Sequence, residues 1–145
     1  MTSQAYALPP GAYTITQAND TSNRGVTDSA GQGDTLSFTS LNADNTSNSP
    51  DQQWLVMGSG VIRARESTRF SYVNQYATRQ NIRSGPIGNR TEWIIGNITW
   101  NPAGYYTGSI RASEKTAGGR YFYWGNDLML QDASKDCVKY PIAPM

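Results

Sequence analysis

The chain has 145 residues with a net charge of +1, 37% hydrophobic and 16% charged residues. At ~100–200 residues per domain it is read as one domain, 1–145, and no run approaches the ~18 apolar residues of a membrane-spanning helix. With no histidine and one cysteine, Cys137, it excludes Ser-His-Asp and Cys-His catalysis, histidine-ligated metals and an internal disulfide.

In chain order, Met1–Gly11 lacks a basic n-region and an apolar h-region, so it is not read as a signal peptide and a cytoplasmic location is expected. The sequons at Asn19, Asn45, Asn89 and Asn97 are then chance products of an Asn- and Thr-rich sequence. Short runs rich in Tyr, Thr, Val, Ile and Trp alternate with Gly, Asn, Asp and Ser clusters, which is an all-β pattern. The candidate strands are 12–18, 35–41, 53–57, 61–66, 70–75, 91–96, 105–112, 120–124 and 127–131. No segment sustains a helical period with caps, so helix content is expected near zero.

Charge is unevenly laid out. Residues 1–57 hold five Asp against one cation, Arg24; residues 58–97 hold six Arg against two Glu; residues 98–145 hold five cations against four acids. A near-neutral domain without a basic helix makes a poor nucleic-acid binder, and neither nucleic acid nor membrane is expected as a partner.

An internal repeat decides the architecture. Ile-Arg-Ala occurs at 62–64 and 110–112, and Thr-Ile-Thr at 14–16 places Ile15 upstream of Ile62 at nearly the same interval of about 48 residues. Each Ile follows a Gly-rich stretch, and the first two units close with Gln52-Gln53-Trp54 and Thr91-Glu92-Trp93. Three units, approximately 10–57, 58–97 and 98–145, each with four short strands, predict a β-trefoil. Each unit has an apolar side that only the other two can bury. A β-sandwich is the competing fold.

Pro10-Gly11-Ala12-Tyr13-Thr14-Ile15-Thr16, followed by Gln52-Gln53-Trp54, resembles the opening repeat of fungal cytoplasmic β-trefoil proteins. These include mushroom ricin-B-like lectins and the cospin-like serine protease inhibitors, the mycospins. The resemblance covers the whole chain in repeat layout, and its motifs specify fold more than function.

The residues leave three functions to weigh. The acids are scattered over loops without a matched pair, so no catalysis and no cofactor or metal is expected. For a lectin, Gln52-x-Trp54 completes Q-x-W in the first unit and Asp28 is a candidate sugar-binding carboxylate. The Trp and Gln of that motif are mainly structural, the second unit has Thr91-Glu92-Trp93 in its place, and the third lacks the Trp. For an inhibitor of a trypsin-like serine protease, the polar segment 19–26 is read as an exposed loop. The resemblance implies Arg24 as P1, with Ser22, Asn23, Gly25 and Val26 completing the reactive site. An exposed arginine suits a pocket that ends in a carboxylate. Gly25 at P1′ departs from that pattern because glycine loosens the leaving side. Lys135, in the late segment 133–136, is the second candidate P1 that the resemblance implies. Arg69, Arg79 and Arg83 also lie near loops. Glycans are the alternative partner. Cys137 is read as a small buried hydrophobe.

Overall fold

The computed structural model describes residues 8–17, 24–28, 35–41, 50–57, 60–65, 69–116, 118–125, 127–132 and 138–144. Among them are β1 (Gly11–Ile15), β2 (Arg24–Thr27), β3 (Ser37–Ser40), β4 (Trp54–Val56), β5 (Ile62–Ala64) and β6 (Phe70–Tyr72). Then come β7 (Arg83–Gly85), β8 (Trp93–Asn101), β9 (Tyr105–Ala112), β10 (Phe122–Trp124), β11 (Leu130–Asp132) and β12 (Tyr140–Pro144). The helical content of the described residues is two 3-10 turns, Pro50–Gln52 and Ile87–Asn89.

Six strands make a barrel. β1 pairs with β4 and β12, β4 with β5, and β9 with both β12 and β8. The ring closes between β5 and β8, where the Trp93 N–H donates to the Gly60 carbonyl at 2.7 Å. Gly60 has φ +84°, and a Cβ there would stand 2.4 Å from the Trp93 carbonyl oxygen, so this close approach needs glycine.

Three hairpins, β2–β3, β6–β7 and β10–β11, cover one end of the barrel. They meet through Leu36, Ile82 and Leu128, spaced about 46 residues apart. The Leu36 N–H donates to the Ile82 carbonyl at 2.8 Å, and the Ile82 N–H to the Leu128 carbonyl at 2.9 Å. Ile15, Ile62 and Ile110 occupy β1, β5 and β9, at most 1% exposed. The fold is therefore the all-β trefoil that the repeat predicts, with these three isoleucines in equivalent first strands. Leu36, Trp54, Trp93, Leu128 and Leu130 are buried as that reading requires, while Phe38 is half-buried against the core.

Three details differ from the sequence reading. β2 occupies part of the segment read as a loop. β8 continues to Asn101 through an irregularity between Gly96 and Thr99, so the turn between the second and third units falls at 102–104, not at 97/98. β12 was not foreseen because it contains Pro141 and Pro144, and proline lacks the N–H a central strand needs. The Pro141 carbonyl nonetheless accepts from the Thr16 N–H at 3.0 Å.

Candidate functional site

The Q-x-W motif acts structurally. Trp54 is fully buried, and its indole N–H donates to the Val26 carbonyl at 2.8 Å. Gln52 Nε2 donates to Thr39 Oγ1 at 2.9 Å and to the Ser40 carbonyl at 3.0 Å, tying β4 to the first hairpin. In the second unit the Trp93 indole donates to Ser71 Oγ at 2.8 Å, and Ser71 Oγ donates to the Ile62 carbonyl at 2.7 Å. Thr91 keeps the place of the glutamine by accepting the Val73 N–H at 3.0 Å. The third unit substitutes Tyr140, fully buried, whose hydroxyl donates to the Gly125 carbonyl. Burial, with the Asp127 charge adding to it, pushes that phenol well above its ordinary range.

Asp28 follows β2, next to this framework. Its N–H donates to the Asp51 carbonyl at 2.8 Å. Its side chain is 1% exposed, and Oδ2 lies 2.7 Å from Arg69 Nε, while the Arg69 side chain is 20% exposed. Oδ1 is buried and accepts no hydrogen bond from the described residues. A buried carboxylate demands a partner, and Arg69, from the second unit, supplies half of what it needs. The matching position of the second unit, after β6, holds Val73, which cannot do this chemistry.

Arg24, Gly25 and Val26 lie in β2, not on a convex loop. Arg24 pairs with Ser40 and Gly25 with Thr39. The Arg24 carbonyl accepts from the Gln17 N–H at 2.9 Å, and Gly25 bridges to Thr16. The Arg24–Gly25 peptide is thus flanked by hydrogen bonds on both sides. A Cβ at Gly25 would sit 2.9 Å from Leu41 Cδ2, so a larger residue there would make the Leu41 side chain shift. Ser22, Asn23, Lys135 and Cys137 fall outside the described residues. Arg69 is the partner of Asp28, Arg83 belongs to β7, and Arg79 adopts a left-handed φ of 63° with its N–H on the Leu130 carbonyl. Among the described residues no three His, Cys, Asp or Glu side chains come together in a way that could hold a metal ion.

The sequence reading places strands at 91–96 and 105–112 but gives no role to the β8–β9 hairpin that they form. It carries Trp100, 40% exposed, directly opposite Tyr106. The signal was present as an uncharged run from Trp93 to Ile110, interrupted by Asn-Pro-Ala-Gly at 101–104.

No family model matches this chain, and no curated protein matches it by sequence. Solved structures do, among them a β-trefoil. The β-trefoil lectin domain of the Vibrio vulnificus hemolysin/cytolysin, solved with N-acetyl-D-lactosamine bound, aligns over 95% of this chain and 98% of its own with TM-score 0.61 and 12% identity. A mosquitocidal holotoxin aligns over 96% of this chain at TM-score 0.59 and 18% identity, and this chain spans only 18% of that protein. The mdaA-1 domain aligns over 99% of this chain and 96% of its own, at TM-score 0.57 and 13% identity. At these identities the likeness is one of fold.

Proposed function

We propose that this β-trefoil is a non-catalytic carbohydrate-binding module. The observation that carries the reading is Asp28, a buried carboxylate with one oxygen on Arg69 and the other without a donor among the described residues. A sugar hydroxyl is a neutral donor of the right kind, and because Oδ1 is buried it reaches that oxygen only where the Arg69 side chain gives way. Arg69, one-fifth exposed, is the side chain a ligand would share or displace. Asp28 is the candidate carboxylate of the lectin reading, and a trefoil similar over nearly the whole chain holds N-acetyl-D-lactosamine. Val73 in the second unit argues for few such sites rather than three.

Inhibition of a trypsin-like protease through Arg24 or Lys135 rests on the sequence resemblance alone, and the strand pairing of Arg24 weighs against its share. The deciding experiment is a glycan array with the native protein and Asp28→Asn, each checked for folding. Binding by the native protein, weakened ~10-fold or more in the variant, is expected. No bound glycan, or full binding by a folded Asp28→Asn, overturns the reading.

A further inference from the structure

Arg111 and Tyr123 are ladder partners on β9 and β10, so their side chains leave the sheet on the same face. That face is the outer one. Ile110 and Ala112 on either side of Arg111 are fully buried, and so are Phe122 and Trp124, which alternate with the half-buried Tyr121 and Tyr123.

On this face two cations share one ring. The Arg111 guanidinium carbon lies 3.8 Å from the centre of the Tyr121 ring, and Lys115 Nζ lies 5.2 Å from it. Arg111 Nη1 also donates to the Ala112 carbonyl at 3.1 Å, which fixes the guanidinium from a second side and leaves its other N–H groups for a ligand. Neither Arg111 nor Lys115 forms a salt bridge with a described residue. The neighbouring acids are Glu92, whose carbonyl accepts the Ser113 N–H, and Glu114. The Glu92 carboxylate lies 3.7 Å from Arg90, and the Tyr76 phenol is pushed up by burial and then by the charges of Glu114 and Glu92. Arg120, next to Tyr121, is paired with Asp132 at 2.7 Å. Two like charges are thus gathered at one aromatic without a counter-charge, an arrangement that costs repulsion.

We propose that Arg111, Lys115 and Tyr121 form a binding site for the oxyanion of an acidic saccharide, a carboxylate or a sulfate. This rests on the carbohydrate-binding reading and gives it a second site, on the third unit and independent of Asp28. A guanidinium held flat on a ring keeps its edge N–H groups in the planar fork that carboxylate and sulfate oxygens fit. Lys115, exposed, adds a point charge. An anion at this place relieves the repulsion between the two cations, which a neutral sugar does not. A chain of net charge +1 has no general attraction for polyanions, so retention of an acidic ligand reports a local cluster.

Native protein is applied to arrays of sulfated, sialylated and neutral glycans built on the same core sugars, and a heparin-derived tetrasaccharide is titrated by calorimetry at rising salt. Acidic glycans should bind ~10-fold or more tighter than their neutral parents, with an affinity that falls as salt rises. Sulfated and sialylated arms separate the two sources of the anion. Arg111→Gln should lose ~10-fold for the acidic glycans, Lys115→Gln ~3-fold, and Arg111→Lys, which keeps the charge without the fork, should recover only part. All three should melt like the native chain and bind neutral glycans as it does, and Asp28→Asn should keep the acidic preference. Glycan binding with no acidic preference, or with a preference that survives in the folded Arg111→Gln, Lys115→Gln double variant, overturns this site and leaves the function standing. No binding of any glycan overturns both. Acidic glycans held through Arg111 while Asp28→Asn binds in full would keep this site and overturn the Asp28 reading.

Discussion

Trp93 and Trp124 meet edge to face, with ring centroids 5.5 Å apart and planes at 90°. The contact joins the second unit to the third at the point where the second is least apolar. Val26 and Phe38 are cross-strand partners in the first hairpin, and Trp124 and Leu130 in the third; the corresponding pair in the second is Ser71 and Ser84. Both serines are fully buried. Ser71 is used, as acceptor for Trp93 and donor to Ile62. The Ser84 hydroxyl has no partner among the described residues.

The two serines should therefore respond in opposite directions. Ser84→Ala removes a desolvated hydroxyl that gains nothing from folding, and should raise stability by about 1 kcal/mol. Ser71→Ala strands the Trp93 indole N–H, and should lower stability by about 1–3 kcal/mol. Paired denaturant melts at neutral pH decide it, and a loss of stability in Ser84→Ala would show that its hydroxyl is bonded.

The Asp28–Arg69 pair links the first two units through residues 41 positions apart in sequence. Arg69→Met leaves the buried carboxylate uncompensated and should cost about 2 kcal/mol, below the ~3–5 of a wholly buried pair because Arg69 keeps some exposure. Asp28→Asn combined with Arg69→Met should regain part of that loss, and a double-mutant cycle by thermal unfolding measures the coupling.

Gly60 tests the barrel seam. Alanine there would be strained by the positive φ and driven against the Trp93 carbonyl, so Gly60→Ala should lose about 3 kcal/mol or more. Gly88, with nothing within 4 Å of its Cβ position, is the control, and Gly88→Ala should stay within about 0.5 kcal/mol. Equal melting temperatures for the two variants would dismiss the seam.

Tyr140 gives a pH signature. Its folded pKa is raised above the ordinary value of 10.0, chiefly by burial, so the neutral phenol is favoured in the native state. The associated stability is complete below about pH 10 and is lost as pH rises, because only the unfolded chain ionises readily. Tyr13 and Tyr76 shift the same way, both mainly through burial. Tyr140→Phe should lower neutral-pH stability by about 1–2 kcal/mol through the unmet Gly125 carbonyl. It should also flatten the fall in stability between pH 9 and 11. An unchanged slope would place the alkaline sensitivity in another tyrosine.

How far the sequence reveals this fold differs from element to element. Ile15, Ile62 and Ile110 announce the threefold because each strand repeats the same inward residue at the same place. Trp54 and Trp93 mark two of the closures. Tyr140 hides the third, since its hydroxyl replaces an indole N–H within a strand broken by two prolines. β2 is illegible because Arg24-Gly25 looks like turn chemistry, whereas both residues pair in the β2–β3 ladder. The pairing of Asp28 with Arg69 depends on a cross-unit approach that no local pattern encodes. The full length of β8 is masked at Asn97, where φ of 52° and the slipped register break the alternation that would carry the eye from Trp93 to Trp100.

The last prediction concerns Arg24 and proteases. A substrate-like inhibitor must present an extended segment whose own backbone groups are free to pair with the enzyme. Around Arg24 those groups are engaged: its carbonyl accepts from Gln17, and the residue faces Ser40 across the β2–β3 ladder. Reaching an S1 pocket would mean peeling β2 from the hairpin, exposing Val26 and losing several hydrogen bonds of about 1 kcal/mol each. Trypsin should therefore leave the Arg24–Gly25 bond intact in the folded protein, and Arg24→Ala should leave any inhibition of trypsin unchanged within about twofold. Inhibition assays on the native protein, Arg24→Ala and Lys135→Ala, with mass spectrometry for a cut after residue 24, test this directly. Loss of inhibition in a folded Arg24→Ala would mean that β2 opens at the enzyme and that the reactive site is there after all. Loss confined to Lys135→Ala would move it to the late segment.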